Sequence, residues 1–184
     1  MKKTLLTALL FVGTNFCANA QAYDGKDDIK IFAGYANVGS KSGVEIQFDR
    51  GLSDLMSYGV NLTFLIKPDD RATTDDFDTT FKKFDSFDMG AFLRFHFSEP
   101  LNLSERVDPY LGADFSLRSI GAHAGIKYNF SEVIGVYAIY KHSFSSSITG
   151  DHKISGETYD TFEDNINFFA KKSTIAAGVT FNIF

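Results

Sequence analysis

The chain has 184 residues, a formal net charge of −5, one Cys, no Trp and 20 Phe. A single Cys excludes a disulfide framework and a zinc site built from several Cys ligands. The acidic balance, 18 basic against 23 acidic residues, argues against a nucleic-acid-binding protein, which would need a basic face. A hydrophobic fraction of 44% is too high for a disordered chain, so the Phe residues must fill a core or an apolar surface.

Residues 1–20 have the three parts of a secretory signal peptide: a basic start, a short apolar run and small residues at the cleavage positions. In chain order these parts are Lys2 with Lys3, Leu5–Val12, and Ala18 with Ala20. We predict cleavage after Ala20, export from the cytoplasm, and one domain over residues 21–184. Cys17 follows Phe16 rather than a small residue, which argues against lipoprotein processing.

The rest of the chain alternates apolar and polar side chains with a period of two, which is typical of β-strands with one apolar and one polar face. The clearest alternation covers Gly43–Arg50, Met56–Ile66, Phe87–Phe97 and Ile120–Phe130. Weaker alternation covers Asp28–Val38, Pro109–Leu117, Ile134–Phe144 and Lys172–Phe184. These segments predict eight strands of about ten residues, the length of a tilted strand that crosses a bilayer. After residue 20, no apolar run approaches the roughly 18–20 residues that a membrane helix needs.

The connections indicate how the strands are arranged. Ser followed by an acidic residue recurs at three predicted strand ends, at Ser53-Asp54, Ser98-Glu99 and Ser131-Glu132. Ser and Asp favour tight turns because their short side chains bond to nearby backbone groups. If the strands alternate in direction, these turns share one end, and the longest connections, about Lys67–Phe84 and Ser145–Lys171, share the other. Short turns at one end and long polar loops at the other are typical of outer-membrane barrels.

The polar faces of the strands predict a lumen filled by side chains. They combine Gly with charged or amide residues, and eight strands leave an interior only just wide enough for side chains. Four basic and four acidic residues, with two histidines, form the predicted lumen charge network: Lys30, Arg94, Lys127, Lys141, Glu45, Asp49, Asp88, Asp114, His96 and His123. This balance favours a paired network over an ion-selective pore. We expect an interior of Gly, amides and paired charges, with Phe on the outside; a soluble sandwich with wet polar faces is the alternative.

The pattern resembles the small eight-stranded outer-membrane barrels of the outer membrane protein A and X type, and most closely the short porin-like barrels of Bacteroidota. The resemblance is carried by the processing site Ala18-Asn19-Ala20-Gln21, the alternating strands and the final strand Ile175–Phe184. It implies an all-β, eight-stranded, antiparallel, up-and-down transmembrane barrel in the outer membrane of a Gram-negative bacterium. It also implies that Phe181 and Phe184 are the signal for the barrel-assembly machinery, although Phe184 is out of phase with the apolar positions of its strand.

The two inward histidines are the first candidates for a chemical site. We expect His96 and His123 to pair with Asp88 or Asp114, since no third ligand at a matching depth would complete a metal site. We therefore predict no metal and no cofactor.

A second candidate is His142, which is followed by Ser143 and Ser145, because barrel enzymes that cut lipids use His and Ser near the outer rim. Adjacent residues on a strand point to opposite faces, so His142 cannot contact Ser143. Ser145 would have to turn back from the loop. We predict that the protein is not an enzyme.

The long loops carry acidic and aromatic residues. The acidic stretch of the first loop lacks the spacing of a calcium loop, so we expect it to be solvated, with a weak cation bridge to lipopolysaccharide as the alternative. Its residues are Asp69, Asp70, Asp75, Asp76 and Asp78. We expect the aromatic residues to pack on one another and on the rim; alternatively, they extend the hairpins or contact a partner. They are Phe77, Phe81, Phe84, Phe87, Tyr159, Phe162, Phe168 and Phe169.

Taken together, these features predict a structural or adhesive outer-membrane barrel whose two long acidic loops meet the environment. The expected partners are outer-membrane lipid, lipopolysaccharide and, during insertion, the assembly machinery; the extracellular ligand is left open. One alternative is a narrow porin for small solutes, which the balanced charges disfavour. Another is a secreted soluble barrel that holds a lipid.

Overall fold

The computed structural model describes residues 21–66, 86–147 and 168–183. Eight strands fold there: β1 (Ile29–Val38), β2 (Lys41–Gly51), β3 (Met56–Leu65), β4 (Phe87–His96), β5 (Val107–Ser116), β6 (Ser119–Asn129), β7 (Ile134–Ser146) and β8 (Ser173–Ile183). They confirm the eight predicted strands, with ends that differ by at most two residues. The predicted signal peptide with Cys17, Ala18 and Ala20, the acidic stretch of the first loop, and Phe184 lie outside the described residues, as do Phe77, Phe81, Phe84, Tyr159 and Phe162.

The strands pair in chain order and close into an antiparallel barrel. Closure is made between the first and last strands, where Ile29 lies opposite Ile183 and Val38 lies opposite Thr174. The ladder between β6 and β7 has a register shift between Ile120 and Gly121. The predicted fold class, an eight-stranded antiparallel up-and-down barrel, is confirmed.

The two ends of the barrel differ. One end, called the turn end below, carries the β2–β3, β4–β5 and β6–β7 connections, as predicted, and the opposite end is called the loop end. One detail corrects the prediction, and one adds to it. The β4–β5 connection at the turn end spans residues 97–106 and is not a tight turn, and the loop end also has short turns at Gly39–Ser40 and Leu117–Arg118. Gly39 permits the first of these because it adopts a positive φ of 64°.

The polarity of the barrel is the reverse of that of a water-soluble protein. Large apolar side chains on every strand lie exposed on the outer surface; Ile46 on β2 is 52% exposed and Phe115 on β5 is 51% exposed. Charged side chains such as Lys30, Arg94 and Lys127 are buried inside. Such a continuous apolar exterior is the mark of a surface that meets a membrane or a partner. In the part of the chain that the structure describes, no helix has the length and apolar character needed to cross a membrane.

Candidate functional site: the barrel lumen

The structure places all ten residues of the predicted lumen charge network on the inner face of the barrel. Eight of them are buried, while the side chains of Asp114 and Lys141 each keep 13% exposure. Because inward positions recur every second residue, the strand pattern brings these side chains together in the lumen from strands far apart in sequence.

Arg94 on β4 lies at the centre of the lumen and contacts several strands. Its guanidinium donates to Asp49 Oδ2 at 2.7 Å, to Gln47 Oε1, and to His123 Nε2 at 3.1 Å. A carboxylate oxygen can only accept, so His123 Nδ1 donates to Asp114 Oδ2 at 2.7 Å, and its Nε2 is left to accept from Arg94. The histidine is thus held in one neutral tautomer, and its predicted pairing with Asp114 is present.

Aromatic side chains surround Arg94, and this corrects the expectation of an interior built from Gly, amides and paired charges. The guanidinium carbon lies 4.0 Å from the ring centroid of Phe92, 4.6 Å from that of Tyr110 and 5.1 Å from that of Phe32. A guanidinium over an aromatic face gains a cation–π attraction that grows when both groups are shielded from water. The central layer is therefore both charged and apolar.

Glycines opposite these rings make the space that the rings occupy. A Cβ added to Gly125 would lie 2.3 Å from Cζ of Tyr110, and one added to Gly59 would lie 2.4 Å from Cζ of Phe92. Both distances are shorter than any tolerable contact. Gly59 and Gly125 thus do more than narrow the lumen, because each accepts a ring from a neighbouring strand.

Toward the loop end, a second group of polar residues is centred on Glu45. Its carboxylate pairs with Lys141 and accepts from Gln47 Nε2, and Thr63 Oγ1 donates to it at 3.4 Å. A cavity of about 40 Å³ adjoins this group and includes Asp88 in its lining. Such a volume holds on the order of one water molecule.

A small apolar cluster lies above the lumen at the loop end. It contains Val38, Leu65 and Phe169, with Phe168 packed against it. The expectation that the aromatic residues of the last loop pack on the rim agrees with these two positions. Phe87, the last of the aromatic residues near the first loop, begins β4, as the predicted strand Phe87–Phe97 has it.

Toward the turn end, His96 corrects a predicted pairing, since its partner is Asp108 rather than Asp88 or Asp114. His96 Nδ1 lies 2.7 Å from Asp108 Oδ2, and its Nε2 lies 2.8 Å from Ser57 Oγ. Lys127 Nζ lies 3.0 Å from the same carboxylate oxygen. Asp88 instead accepts a hydrogen bond from the backbone N–H of Arg118 at 3.2 Å.

Asp108 was missed because the predicted strand began one residue later, at Pro109. Asp108 lies an even number of residues from Asp114 on β5, so the two side chains point to the same face of the strand. This spacing is the signal that could have identified Asp108. With Asp108 added, the described lumen contains more carboxylates than the predicted four, and Lys127 has an acidic partner at its own depth.

The N-terminal segment Gln21–Asp28 closes the turn end, which the sequence did not predict. Tyr23 stacks on His96 with ring centroids 3.6 Å apart, and its hydroxyl donates to the carbonyl oxygens of Ser53 and Met56, both at 2.6 Å. Burial, aided by nearby carboxylates including Asp49, raises the pKa of the Tyr23 hydroxyl well above its ordinary value. The group therefore stays protonated and able to donate.

Other backbone contacts fasten the same segment across the barrel mouth. Ala22 N–H donates to Glu105 O at 2.7 Å, and Asn129 Nδ2 donates to Gln21 O at 2.7 Å. Lys30 lies just inside this segment, where its ammonium contacts Asp28 and donates to Asn182 Oδ1 at 2.8 Å. The segment, called the clasp below, thus ties together strands from all sides of the turn end.

The His142 candidate lies on the outside of the barrel. His142 Nδ1 is 3.0 Å from Ser173 Oγ, whereas Ser143 is buried and donates to the carbonyl oxygen of Ser145 at 3.2 Å. His142 and Ser143 thus lie on opposite faces of β7, and the structure does not bring the histidine to the hydroxyl of Ser143. Nor do the described residues contain any group of three His, Cys, Asp or Glu side chains that could hold a metal ion.

A closed eight-stranded antiparallel barrel with an apolar exterior and a charged interior has the fold of the outer-membrane type. The N-terminal β-barrel domain of Pseudomonas aeruginosa OprF is similar, with a TM-score of 0.50 and 13% identity over 87% of this chain and 100% of that one. A chain from the de novo design of transmembrane β-barrels aligns with a TM-score of 0.49 and 12% identity, covering 87% and 98% of the two chains.

The family of the chain follows from its sequence. Residues 13–183 match the family described as "Family of unknown function (DUF6646)", and the chain belongs to this family. No curated protein matches the sequence.

Proposed function

We propose that the protein is an integral outer-membrane barrel with a closed lumen, which has a structural or adhesive role and displays its two long loops at the cell surface. The observation that carries this proposal is the reversed polarity of the barrel. Side chains such as Ile46, Val60 and Phe115 are about half exposed, so leaving each of them in water would cost the barrel roughly half of the 1.5–3 kcal/mol that complete burial gains, and a lipid environment removes that cost.

The dimensions of the strands support the membrane assignment. Strands of ten or eleven residues prevail in the barrel. At about 3.3 Å per residue and a tilt of about 35–45°, such strands span roughly 25 Å, which matches the apolar band of outer-membrane barrels. Export through residues 1–20, and assembly through the terminal aromatic residues Phe181 and Phe184, belong to the same proposal.

The packing of the lumen supports a closed barrel over the porin alternative. Arg94 and its aromatic neighbours fill the centre, the clasp covers the turn end, and Phe169 packs over the loop end. The cavity of about 40 Å³ beside Glu45 holds on the order of one water molecule, as expected of a lumen filled by side chains. The lumen therefore supplies rigidity to the barrel that holds the loops.

The proposal includes no catalysis. Ser57, His96 and Asp108 have the hydrogen-bond order of a nucleophile, a base and an orienting carboxylate, but each is at most 1% exposed. Tyr23 stacks directly on the histidine. A nucleophile must reach its substrate, so this arrangement supports a sealed polar network.

Three measurements test the proposal. The expressed chain should stay with membranes through carbonate extraction, and the purified protein should migrate differently on a gel with and without boiling, because a closed barrel resists detergent. In planar bilayers it should give no reproducible open steps. Release by carbonate or the absence of a gel shift would contradict the membrane barrel, whereas large, regular conductance steps would favour the porin.

A further inference from the structure

A lysine and an asparagine meet at the seam where the first and last strands close the barrel. Lys30 on β1 lies opposite Asn182 on β8, and Lys30 Nζ donates to Asn182 Oδ1 at 2.8 Å. Because a carbonyl carbon and its oxygen are about 1.2 Å apart, Nζ lies within about 4 Å of Asn182 Cγ. Reacting atoms approach to about 3–3.5 Å before they bond, so a small side-chain movement brings the lysine nitrogen to the amide carbon.

The side-chain amide of Asn182 is held at both of its polar atoms. Its Nδ2 donates to the carbonyl oxygen of Glu132 at 2.6 Å and to that of Gln21, in the clasp, at 3.5 Å. Asn129 Nδ2 donates to Asn182 Oδ1 at 3.5 Å, a long contact that would strengthen if negative charge developed on this oxygen. The amide therefore presents a fixed carbonyl carbon to Lys30.

A buried carboxylate completes the group. Asp28 Oδ1 and Oδ2 lie 3.0 Å and 2.9 Å from Lys30 Nζ. The side chain of Asp28 is 7% exposed and that of Lys30 is 2% exposed. A lysine attacks carbon only as the free amine, so a neighbouring base must first take a proton from its ammonium group. Asp28 contacts that group with both oxygens and is placed to act as this base.

We propose that Lys30 and Asn182 form an isopeptide bond that closes the barrel covalently, with Asp28 as the proton carrier. The free amine attacks Asn182 Cγ, the Nζ–Cγ bond forms and the Cγ–Nδ2 bond breaks. Asp28 passes the two protons that Nζ loses to Nδ2, which leaves as an ammonium ion. A lysine ammonium and a carboxamide thus give a secondary amide and an ammonium ion, and the Asp28 carboxylate is regenerated without an oxidant or a cofactor.

This bond gives the barrel a covalent link that cysteines cannot supply. Residues 21–184 contain no Cys, so no disulfide can join the strands. The link joins β1 to β8, the two strands whose pairing closes the barrel. It turns most of the chain into a ring, which restricts the unfolded state in the way that a disulfide across a long loop does.

The test is a tryptic peptide map of the full chain purified from expressing cells. Trypsin cleaves after Lys and Arg, but it does not cleave after a lysine whose Nζ belongs to an amide. The wild type should therefore give a branched peptide in which residues 27–41 are joined to residues 173–184. This peptide should be about 17 Da lighter than its two parts, because ammonia has left. The mass of the whole protein is not sufficient, since an N-terminal Gln21 loses the same mass when it cyclises.

Three variants locate the chemistry. Lys30→Arg keeps a positive charge beside Asp28 but cannot form the bond, so the branched peptide should be absent. The matched control, Lys26→Arg, makes the same change at an exposed lysine of the clasp and should leave the yield of branched peptide unchanged. Asp28→Asn should slow the appearance of branched peptide by about 100-fold, because a positioned acid–base group contributes about 10²–10⁴-fold. The rate is measured in samples taken at intervals after synthesis is stopped.

The wild type decides the question even if a variant fails to fold. If it gives only the linear peptides 27–30, 31–41 and 173–184, Lys30 and Asn182 do no more than hydrogen-bond, and the inference is overturned. A folded Asp28→Asn variant that forms the branched peptide at the wild-type rate would overturn the role of Asp28. Linear peptides from a wild type that resists carbonate and shifts on a gel would overturn this inference and leave the membrane barrel in place.

Discussion

Removing Arg94 tests the central layer of the lumen. In Arg94→Met the alkyl stem remains, but Asp49 loses the guanidinium that lies 2.7 Å from its carboxylate. The Asp49 side chain is 4% exposed, so the substitution leaves a buried charge with a reduced set of partners. Breaking such a pair costs about 3–5 kcal/mol. We therefore expect a loss of free energy of unfolding of at least about 3 kcal/mol.

The loss is measured by urea unfolding of the barrel from lipid vesicles, with the folded fraction read from the gel shift. A matched control removes an exposed pair of the same chemistry. Arg50 and Asp27 keep 47% and 62% side-chain exposure, so Arg50→Met should cost less than about 1 kcal/mol.

A second substitution tests whether the unpaired carboxylate of Asp49 causes the loss of free energy of unfolding. Adding Asp49→Asn to Arg94→Met removes that charge, so the double variant should be more stable than Arg94→Met alone, by at least about 1 kcal/mol. If Asp49→Asn destabilises the Arg94→Met barrel further, or if Arg94→Met costs no more than Arg50→Met, the reasoning about the buried pair is wrong.

Three further predictions concern the glycine that faces the Tyr110 ring, the clasp and the outer surface. Gly125→Ala should destabilise the barrel by at least about 1–3 kcal/mol in the same urea assay, because its Cβ would overlap the Tyr110 ring, and a near-neutral result would contradict that packing. Tyr23→Phe should cost about 1 kcal/mol through its lost hydrogen bonds. Because folding raises the pKa of the Tyr23 hydroxyl, the difference in free energy of unfolding between wild type and Tyr23→Phe should be largest below pH 10.0 and should shrink above it. A difference that does not change with pH would contradict this assignment. His142→Ala should leave the lipid profile of the expressing strain unchanged, whereas an altered profile would point to an enzyme.

The period-two pattern predicted most of the barrel because it carries two kinds of information. It gives the strands, and through parity it gives the face of each residue, which is why the ten lumen positions could be named before any contact was known. Asp108 escaped only because the predicted strand began at Pro109. The error was one of strand ends, which local patterns determine poorly.

Residue type predicted the face of a side chain less well than its position in the alternation did. Phe32 and Phe92 are apolar, and composition assigns them to the outside with the other Phe residues, yet both face inward against Arg94. Phe32 lies two residues from Lys30 on β1, and Phe92 lies two residues from Arg94 on β4. Each therefore points to the same inner face as its charged neighbour, and this spacing is the signal that places both rings inside. A buried guanidinium favours aromatic neighbours, so such a lumen is not built from polar groups alone.

The clasp could not be predicted, because residues 21–28 have no periodic pattern to read. Its contacts depend on the closed barrel, which brings the carbonyl groups of Ser53, Met56 and Glu105 to one mouth. Only the tertiary structure creates this site, and sequence alone shows merely that a Tyr precedes the first strand.

The orientation of the apolar face toward lipid is tested most directly by spin labels at outward positions of the folded barrel in vesicles. Labels on Ile46→Cys, Val60→Cys and Leu93→Cys should collide freely with oxygen, which dissolves in lipid, and poorly with a water-soluble nickel chelate. Ser98→Cys at the turn end is the control and should show the reverse. If the chelate reaches the three outward labels as readily as it reaches Ser98→Cys, the apolar surface does not face a membrane.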